Sequence, residues 1–326
     1  MKTFWGVMAL VLAAAPAVWG QEGVTPSQIT LGSVLALKGP AQGLGSGMKA
    51  GMEAAFHGVK VNGRAIALHA ANDFYEPEKA AEETRRLLKE GVFVMIGNVG
   101  TPTAAATTPL LKEANVPAVG FFTGAGLLRP GAGGPIVNYR ASYVQEVLTV
   151  INGAVQAGMP ISGACAFVQN DSYGMAGLAG VKRAFEQNGG DAEVIKSLGE
   201  MIALPGDNPA RNDRGPVGTY PRNSIEVKPG YQSLKAWEKK SGHRCQLVVT
   251  VGAYGPIAHF ARVSRQDKEK WAISAVSFTG ADNLLADLTK YNARERFVMT
   301  RWCRSWPPSS PLSPRRARSW ARSSGM

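Results

Sequence analysis

The chain has 326 residues, enough for two domains of ordinary size, and its 45% of hydrophobic residues can build a buried core in each. The formal net charge is +12, but six of the positive charges are arginines of residues 301–326 and one is Lys2, which leaves +5 for residues 21–300. Residues 21–300 contain no basic stripe interleaved with aromatic side chains, so the composition excludes nucleic acid as an expected partner.

Residues 1–20 predict a secretory signal peptide. Lys2 precedes an apolar run from Phe4 to Val18, and small residues follow, with Ala17 and Gly20 as candidate cleavage positions. A membrane anchor is the alternative, but the run is shorter than the ~20 apolar residues that a spanning helix needs. No Cys lies near the cleavage positions, so a lipid anchor is not indicated. We expect the mature chain to be periplasmic or secreted.

Strand-like and helix-like segments alternate along the rest of the chain. Apolar runs predict strands at 29–35, 65–70, 92–96, 116–120, 164–169, 192–197, 247–251 and 272–278. Helices are predicted at 45–56, 77–90, 102–114, 143–157, 173–188, 231–241, 256–265 and 283–289. Such alternation predicts an α/β fold whose parallel sheets are covered by helices on both faces.

The alternation is too long for one compact sheet. We therefore expect two doubly wound parallel-sheet lobes joined by a hinge, the N-terminal lobe at 21–140 and the second at 141–296. Residues 297–300 are interpreted as the start of a strand that crosses back to the first lobe. The segment 203–224 is dense in Pro, Gly, Asn and Asp and is expected to be a surface excursion.

The chain has three cysteines, and Cys303 lies in the unusual C-terminal segment. Cys165 and Cys245 each open an apolar strand-like run. We expect buried free thiols, with a disulfide between neighbouring parallel strands as the alternative. Without a pairing framework or a C-x-x-C motif, neither metal nor redox chemistry is indicated, and we expect no cofactor.

Four strand-to-helix junctions carry residues suited to ligand binding: 97–103, 120–126, 170–174 and 252–256. In doubly wound sheets, ligands bind at the carboxyl ends of strands, where helix N-termini offer free N–H groups. Each junction alone has a structural explanation, because Thr101-Pro102 is a good helix start, Gly-rich segments form turns, and a lone Tyr suits an amphipathic surface. Two junctions fall in each half at the same end of their strands, so together they predict a cleft between two lobes.

The sequence contains no catalytic signature. It lacks a G-x-S-x-G elbow, a phosphate loop ending in Gly-Lys-Ser/Thr, and a well-placed G-x-G-x-x-G. The histidines are scattered without metal-ligand spacing: His57, His69, His243 and His259. We therefore expect a protein that is not an enzyme and holds no metal.

Several short segments follow one another in a specific order. They are Ile29-Thr30-Leu31-Gly32-Ser33, Leu37-Lys38-Gly39-Pro40, Gly45-Ser46-Gly47-Met48-Lys49-Ala50-Gly51, Asn72-Asp73, Tyr75-Glu76-Pro77, Ala80-Ala81, residues 97–103, Val116-Pro117, Phe121-Phe122-Thr123-Gly124 and Asp171-Ser172-Tyr173-Gly174. From about Ile29 to Thr300, the chain resembles the type I periplasmic solute-binding proteins of ABC transporters, in the leucine/isoleucine/valine-binding family.

This resemblance implies two hinged lobes that close on a small solute and deliver it to an ABC transporter permease, with the protein acting as a monomer. It implies that hydroxyls and N–H groups of the first lobe hold an amino-acid or other carboxylate group, and that aromatic residues of the second lobe close over the ligand. The expected ligand-binding residues are Gly100, Thr101, Phe122, Thr123 and Gly124 in the first lobe and Tyr173 and Tyr254 in the second.

Two departures from the family pattern affect the expected ligand. Leu44 stands on the first loop, where many relatives present an aromatic residue. No second-lobe carboxylate for an ammonium group can be placed, since residues 277–280 occupy that neighbourhood and Asp282 is a weak candidate. The ligand is therefore expected to be a carboxylate or amide rather than an α-amino acid.

Residues 301–326 differ from everything before them. They contain six arginines and three of the seven tryptophans, no Asp or Glu, and no apolar period. We interpret them as a disordered, out-of-frame segment that replaces the C-terminal part of the fold, with a basic tail as the alternative, and we expect impaired stability and binding. The alternative functions are a periplasmic ligand sensor and a secreted α/β enzyme.

Overall fold

The computed structural model describes residues 21–129, 131 and 135–300. The expected signal peptide at 1–20, the expected out-of-frame segment at 301–326 and Cys303 lie outside the described residues. Within the described ranges, no helix is both long and apolar enough to cross a membrane.

The first sheet has six strands in the order β2-β3-β1-β4-β5-β6. They are β1 (Gln28–Leu35), β2 (Lys60–Val61), β3 (Arg64–Asn72), β4 (Val94–Ile96), β5 (Ala118–Val119) and β6 (Ile136–Val137). Neighbouring strands pair in parallel except β2, which pairs antiparallel with β3. The helices among them are α1 (Gln42–Phe56), α2 (Pro77–Glu90) and α3 (Thr101–Glu113).

The second sheet has five strands in the order β11-β10-β9-β7-β8, and every neighbouring pair is parallel. Its strands are β7 (Ala164–Gln169), β8 (Val217–Tyr220), β9 (Leu247–Val251), β10 (Ala272–Ala275) and β11 (Phe297–Met299). Its helices are α4 (Tyr143–Gln156), α5 (Ser172–Gln187), α6 (Ala192–Ala203), α7 (Lys228–Ser241), α8 (Tyr254–Gln266) and α9 (Ala281–Lys290). The two parallel sheets confirm the predicted α/β fold class.

The boundaries of helix α2 follow from its sequence. Pro77 stands in the first turn, where its missing N–H costs no hydrogen bond, and Gly91 ends the helix with a φ of 78°. Ala80 and Leu87, two turns apart, are buried on one face. The structure therefore gives this helix the predicted bounds.

Three segments differ from the predicted elements. The strand predicted at 272–278 ends at Ala275, and the 3₁₀ helix Ser277–Thr279 follows it. Residues 192–197 are not a strand but the start of α6, because Asp191 accepts hydrogen bonds from the N–H groups of Glu193 and Val194 and so caps a helix. The segment 203–224 is not wholly a surface excursion, because it contains the buried strand β8, which pairs with β7. Turn-forming residues flank this four-residue strand, so its burial cannot be recognised from the sequence pattern.

Cys165 and Cys245 form a disulfide with a Cα–Cα distance of 5.7 Å, so the expectation of free thiols is wrong. Cys165 lies in β7, and Cys245 lies just before β9, the strand beside β7. The sheet brings the two residues together across 80 positions of sequence. Closing a loop of that length stabilises a fold by roughly 4 kcal/mol through the unfolded state.

The last strand lies in the second sheet. β11 pairs in parallel with β10, from Ile273 opposite Phe297 to Ala275 opposite Met299. The sequence predicts that residues 297–300 begin a return to the first lobe. In the structure they form the edge strand of the second sheet, because the Thr300 N–H also donates to the Ala275 carbonyl there.

Candidate functional site

Two of the expected site residues meet directly. Thr101 begins α3, and Thr123 follows β5, the strand beside β4. Their hydroxyl oxygens lie 2.6 Å apart, and both side chains are fully buried. We call this the threonine pair; it places two adjustable hydroxyl groups at the carboxyl end of the first sheet.

Gly100 and Gly124 lie beside the threonine pair and permit close approach of aromatic rings. Gly100 has a φ of 114°, and a Cβ there would stand 2.4 Å from Cε2 of Tyr75. A Cβ at Gly124 would stand 2.7 Å from Cδ1 of Tyr143. Because each glycine leaves room for a ring, its contribution is the close packing of the site.

Phe278 is at the centre of a cluster of aromatic rings from both lobes. Its ring centroid lies 5.0 Å from that of Phe122 and 4.8 Å from that of Tyr173. The rings of Tyr143 and Tyr75 lie 6.3 and 6.5 Å away. These five rings form the aromatic cluster, whose edge-on and stacked pairs are favourable beyond the area that they bury.

The phenols of the cluster are hydrogen-bond donors rather than charged groups. Burial raises the pKa of Tyr143, against the opposing effects of the Arg140 charge and of the Thr123 and Thr101 hydroxyls. Burial also raises the pKa of Tyr75 and of Tyr173. Within the described part of the chain, the Tyr143 hydroxyl lies near the hydroxyls of Thr101 and Thr123, and the Thr279 hydroxyl lies near that of Tyr173, but neither group completes a well-formed hydrogen bond. Two buried polar groups therefore lie beside the cluster with capacity to bind.

Tyr173 and Tyr254 have different positions. Tyr173 belongs to the aromatic cluster, and its hydroxyl donates to the Gly252 carbonyl at 3.3 Å. Tyr254 begins α8, and its hydroxyl accepts from the N–H of Gly43 in the first lobe at 3.3 Å. Within the part of the chain that the structure describes, Tyr254 makes no ring pair with the aromatic cluster. It joins the two lobes beside the site.

Leu44 and Asp282, the two positions of departure, lie apart from the threonine pair. Both line a groove of about 440 Å³ between α1 and α9, with Phe122 on its wall. Leu44 also stands against Gly280, where an added Cβ would meet its Cδ2 at 2.7 Å. The structure therefore gives Asp282 no contact with the threonine pair.

An ionic cluster joins the lobes at another edge of the site. The Arg222 guanidinium donates to Asp171 at 3.2 Å, to Asp207 at 2.7 Å and to Glu76 of the first lobe at 3.0 Å. Asn223 also donates to Glu76, at 2.7 Å. These contacts hold the lobes together beside Tyr75.

Three residues of the aromatic cluster are not among the ligand-binding residues expected from the sequence: Tyr75, Tyr143 and Phe278. Tyr75 enters the site from a loop in which Phe74 and Tyr75 have φ values of 54° and 63°. Phe278 lies in the short 3₁₀ helix Ser277–Thr279. The signal that could have found Tyr75 and Phe278 is their position after strands β3 and β10, at the same sheet ends as the expected junctions.

Among the described residues, no group of three or more His, Cys, Asp or Glu could hold a metal ion. Three buried carboxylates lie near the aromatic cluster: Asp73, Asp171 and Glu146. Asp73 accepts from the N–H of Tyr75. Asp171 accepts from Gln169, Arg222 and the N–H of Tyr173. The arrangement can bind a polar group at the threonine pair and enclose an apolar body between rings.

Comparison with solved structures gives a similar fold. A possible leucine/isoleucine/valine-binding protein from Rhodopirellula baltica SH 1 is 32% identical with a TM-score of 0.69; the alignment covers 80% of this chain and 66% of that one. The chain thus spans about two thirds of that relative's length. A leucine binding protein from Thermotoga maritima MSB8 is 16% identical, with 91% and 76% covered and a TM-score of 0.64. A solute binding protein from R. palustris in complex with benzoate is 20% identical, with 78% and 63% covered and a TM-score of 0.60.

A search of curated proteins found no match. The sequence model of the periplasmic binding protein family matches residues 28–199, more than half of the chain. Proteins of this extracytoplasmic family are solute-binding proteins rather than enzymes, in agreement with the expectation from the sequence. The resemblance inferred from the order of the short segments is confirmed: the chain belongs to the periplasmic binding protein family and has its type I fold.

Proposed function

We propose that the chain captures a small ligand with a carboxylate or amide group between its two lobes and delivers it to an ABC importer. The observation that carries this proposal is the threonine pair, whose oxygens lie 2.6 Å apart beside Tyr143 of the aromatic cluster. Two hydroxyls at one point, with the Tyr143 hydroxyl near them, suit an anionic or carbonyl oxygen that accepts several hydrogen bonds.

The aromatic cluster supports an apolar body for this ligand. Phe278 belongs to the second lobe and stacks on Phe122 of the first, at the point where a ligand between the lobes would contact both. We propose that the apolar part of the ligand takes the space of the Phe278 ring when the lobes open and close again. The benzoate and fatty acid named for two structural relatives have this combination of an apolar body and an acidic end.

The charges around the site favour a ligand without an ammonium group. A buried ammonium needs a carboxylate partner, because desolvation of an unpaired charge is very costly. Asp171 is bound by Arg222, and Glu146 accepts from the N–H and hydroxyl of Ser277. Both of these carboxylates are therefore occupied by groups of the protein. Burial raises the pKa of the third, Asp73, to about 7, which disfavours its charged form.

The test compares leucine with 4-methylpentanoate, which is leucine without its ammonium group. We expect isothermal titration calorimetry on the full chain to show binding of 4-methylpentanoate and at least tenfold weaker binding of leucine, roughly the effect of one unpaired buried polar group. Tighter binding of leucine would contradict the proposed ligand class. The absence of binding by both, and by benzoate, would contradict the proposed function.

A further inference from the structure

A second cavity lies beside the aromatic cluster. It has a volume of about 260 Å³, and its wall includes Phe122, Arg140, Ser277, Met299 and Thr300. We infer that this cavity, here called the Arg140 cavity, binds a second carboxylate group, so that the ligand is a dicarboxylate. This inference rests on the proposed function, which places the first carboxylate at the threonine pair.

Arg140 is the residue that gives the cavity its charge. Its side chain is only 5% exposed, and the guanidinium lies 4.4 Å from the centroid of the Phe122 ring. One terminal nitrogen, Nη2, donates to the Ser277 hydroxyl. The other, Nη1, is buried and has no hydrogen-bond partner among the described residues. A buried guanidinium with an unused donor is costly unless an acceptor reaches it.

Glu146 does not serve as that acceptor. Its nearest oxygen is 3.9 Å from Nη2 of Arg140, longer than a charge-assisted hydrogen bond. Its two oxygens instead accept from the N–H of Ser277 at 2.7 Å, the Ser277 hydroxyl at 2.9 Å and the Thr300 hydroxyl at 2.7 Å. Glu146 thus has neutral hydrogen-bond donors as its partners, and the guanidinium of Arg140 has capacity to bind another anion.

The neighbourhood also carries an excess of positive charge. Arg129 uses its guanidinium on the backbone carbonyls of Ala125, Arg140 and Ala141, at 2.7, 2.8 and 3.2 Å. Burial and the nearby Arg140 charge lower the pKa of Arg129, which agrees with two cations close together. Glu146 neutralises one of the two positive charges of Arg129 and Arg140. One further anion would therefore make the three side chains and the ligand neutral together.

The chemistry of the wall identifies the anion as a carboxylate on an apolar chain. A planar guanidinium matches a carboxylate through two parallel hydrogen bonds. Phe122 and Met299 offer apolar surface to the carbon atoms that follow it. Phe122 belongs to both the aromatic cluster and the cavity wall, so a chain passing its ring would join the threonine pair to Arg140.

The experiment compares heptanoate with heptanedioate, which differ only in the second carboxylate. Calorimetry on the full chain should show heptanedioate binding about tenfold more tightly, the effect of one charge-assisted hydrogen-bonded pair. The double variant Arg140→Gln with Glu146→Gln removes both charges together and should lose this preference while it retains heptanoate binding. Arg140→Lys keeps the positive charge without the planar guanidinium and should retain only part of the preference for heptanedioate. Arg85→Gln, at an exposed position of α2, is the matched control and should change neither affinity.

An equal affinity for the two probes, or a preference that persists in the double variant, would overturn the inference. If the double variant does not fold by circular dichroism, the Arg140→Lys variant decides, because an unchanged preference there would also overturn it. Heptanoate binding without any preference for heptanedioate would refute the dicarboxylate and leave the proposed function standing. Failure of both probes, with 4-methylpentanoate and benzoate also inactive, would refute both.

Discussion

The hydroxyl oxygens of Thr101 and Thr123 lie 2.6 Å apart, although 22 positions separate them in the chain. The contact exists because β4 and β5 are parallel neighbours. The segments that carry Thr101 and Thr123 follow these strands and therefore leave the sheet at the same edge. The Thr123 hydroxyl also accepts from the N–H of Ala125, which fixes its direction. This fixed direction supports the proposed contact between the threonine pair and an acceptor group of the ligand.

Phe278 is predicted to contribute strongly to stability. Its side chain is fully buried and contacts rings of both lobes, so Phe278→Ala should lower the free energy of unfolding by about 3–5 kcal/mol through lost transfer energy and a residual cavity. Urea unfolding followed by tryptophan fluorescence measures the change. Leu285→Ala, at a 40% exposed position of α9, is the control and should change the free energy by less than about 1 kcal/mol. A similar loss in both variants would show that Phe278 is not specially packed.

The Cys165–Cys245 disulfide is predicted to stabilise the second lobe. Reduction with dithiothreitol should lower the free energy of unfolding by roughly 4 kcal/mol, because the loop between the cysteines becomes free in the unfolded state. Denaturation with and without the reductant measures the difference. The same reductant should have no effect on a variant with Cys165→Ala and Cys245→Ala. Equal stability of the oxidised and reduced wild-type protein would contradict the prediction.

Asp73 is predicted to make stability fall as the pH rises. Burial raises the pKa of Asp73 to about 7, whereas an aspartate of an unfolded chain titrates at about 3.9. Between these two pKa values the folded state binds more protons than the unfolded state. The contribution of Asp73 protonation to stability is therefore fully present below the unfolded-state pKa and is lost as the pH rises through the folded-state pKa. The loss is up to about 4 kcal/mol.

Asp73→Asn should remove this part of the pH dependence. Asn can still accept the hydrogen bond that the Tyr75 N–H gives to Asp73 Oδ1 at 2.8 Å. Relative to wild type, the variant should therefore gain stability between pH 5 and pH 8, as measured by urea unfolding at each pH. Asp213→Asn, at an exposed position, should follow wild type at both values. A constant difference between Asp73→Asn and wild type would refute the predicted titration.

The elements that were predicted well have clear local sequence signals, such as proline and glycine at helix ends and apolar runs in strands. Pro77 and Gly91 mark the two ends of α2, and an apolar run interrupted only by Thr250 marks β9. The start of α6 was misread because Val194 and Ile195 suggest a strand, while the cap at Asp191 starts a helix whose buried face continues to Met201. Strand β8 was missed because it has four residues between turns and is identified only by its pairing with β7.

The candidate site was predictable only in part. The threonine pair follows from sheet geometry, since adjacent parallel strands bring their following segments to one edge. Tyr75 and Phe278 could not be placed from periodicity, because one depends on a positive φ and the other on a short 3₁₀ helix. The disulfide also depended on the strand order, which places β9 beside β7 although β8 lies between them in sequence.

The most direct measurement of the central claim is the affinity of a Thr123→Val variant for 4-methylpentanoate by isothermal titration calorimetry. Valine keeps the shape of Thr123 and removes its hydroxyl, so binding should weaken by at least about tenfold, the effect of one lost hydrogen bond to a charged group. Thr108→Val, in the same α3 helix as Thr101, also loses a hydroxyl, one that donates to the Ala104 carbonyl at 2.7 Å. Its affinity should stay within about twofold of wild type. Unchanged affinity in Thr123→Val, or equal losses in the two variants, would contradict a ligand held at the threonine pair.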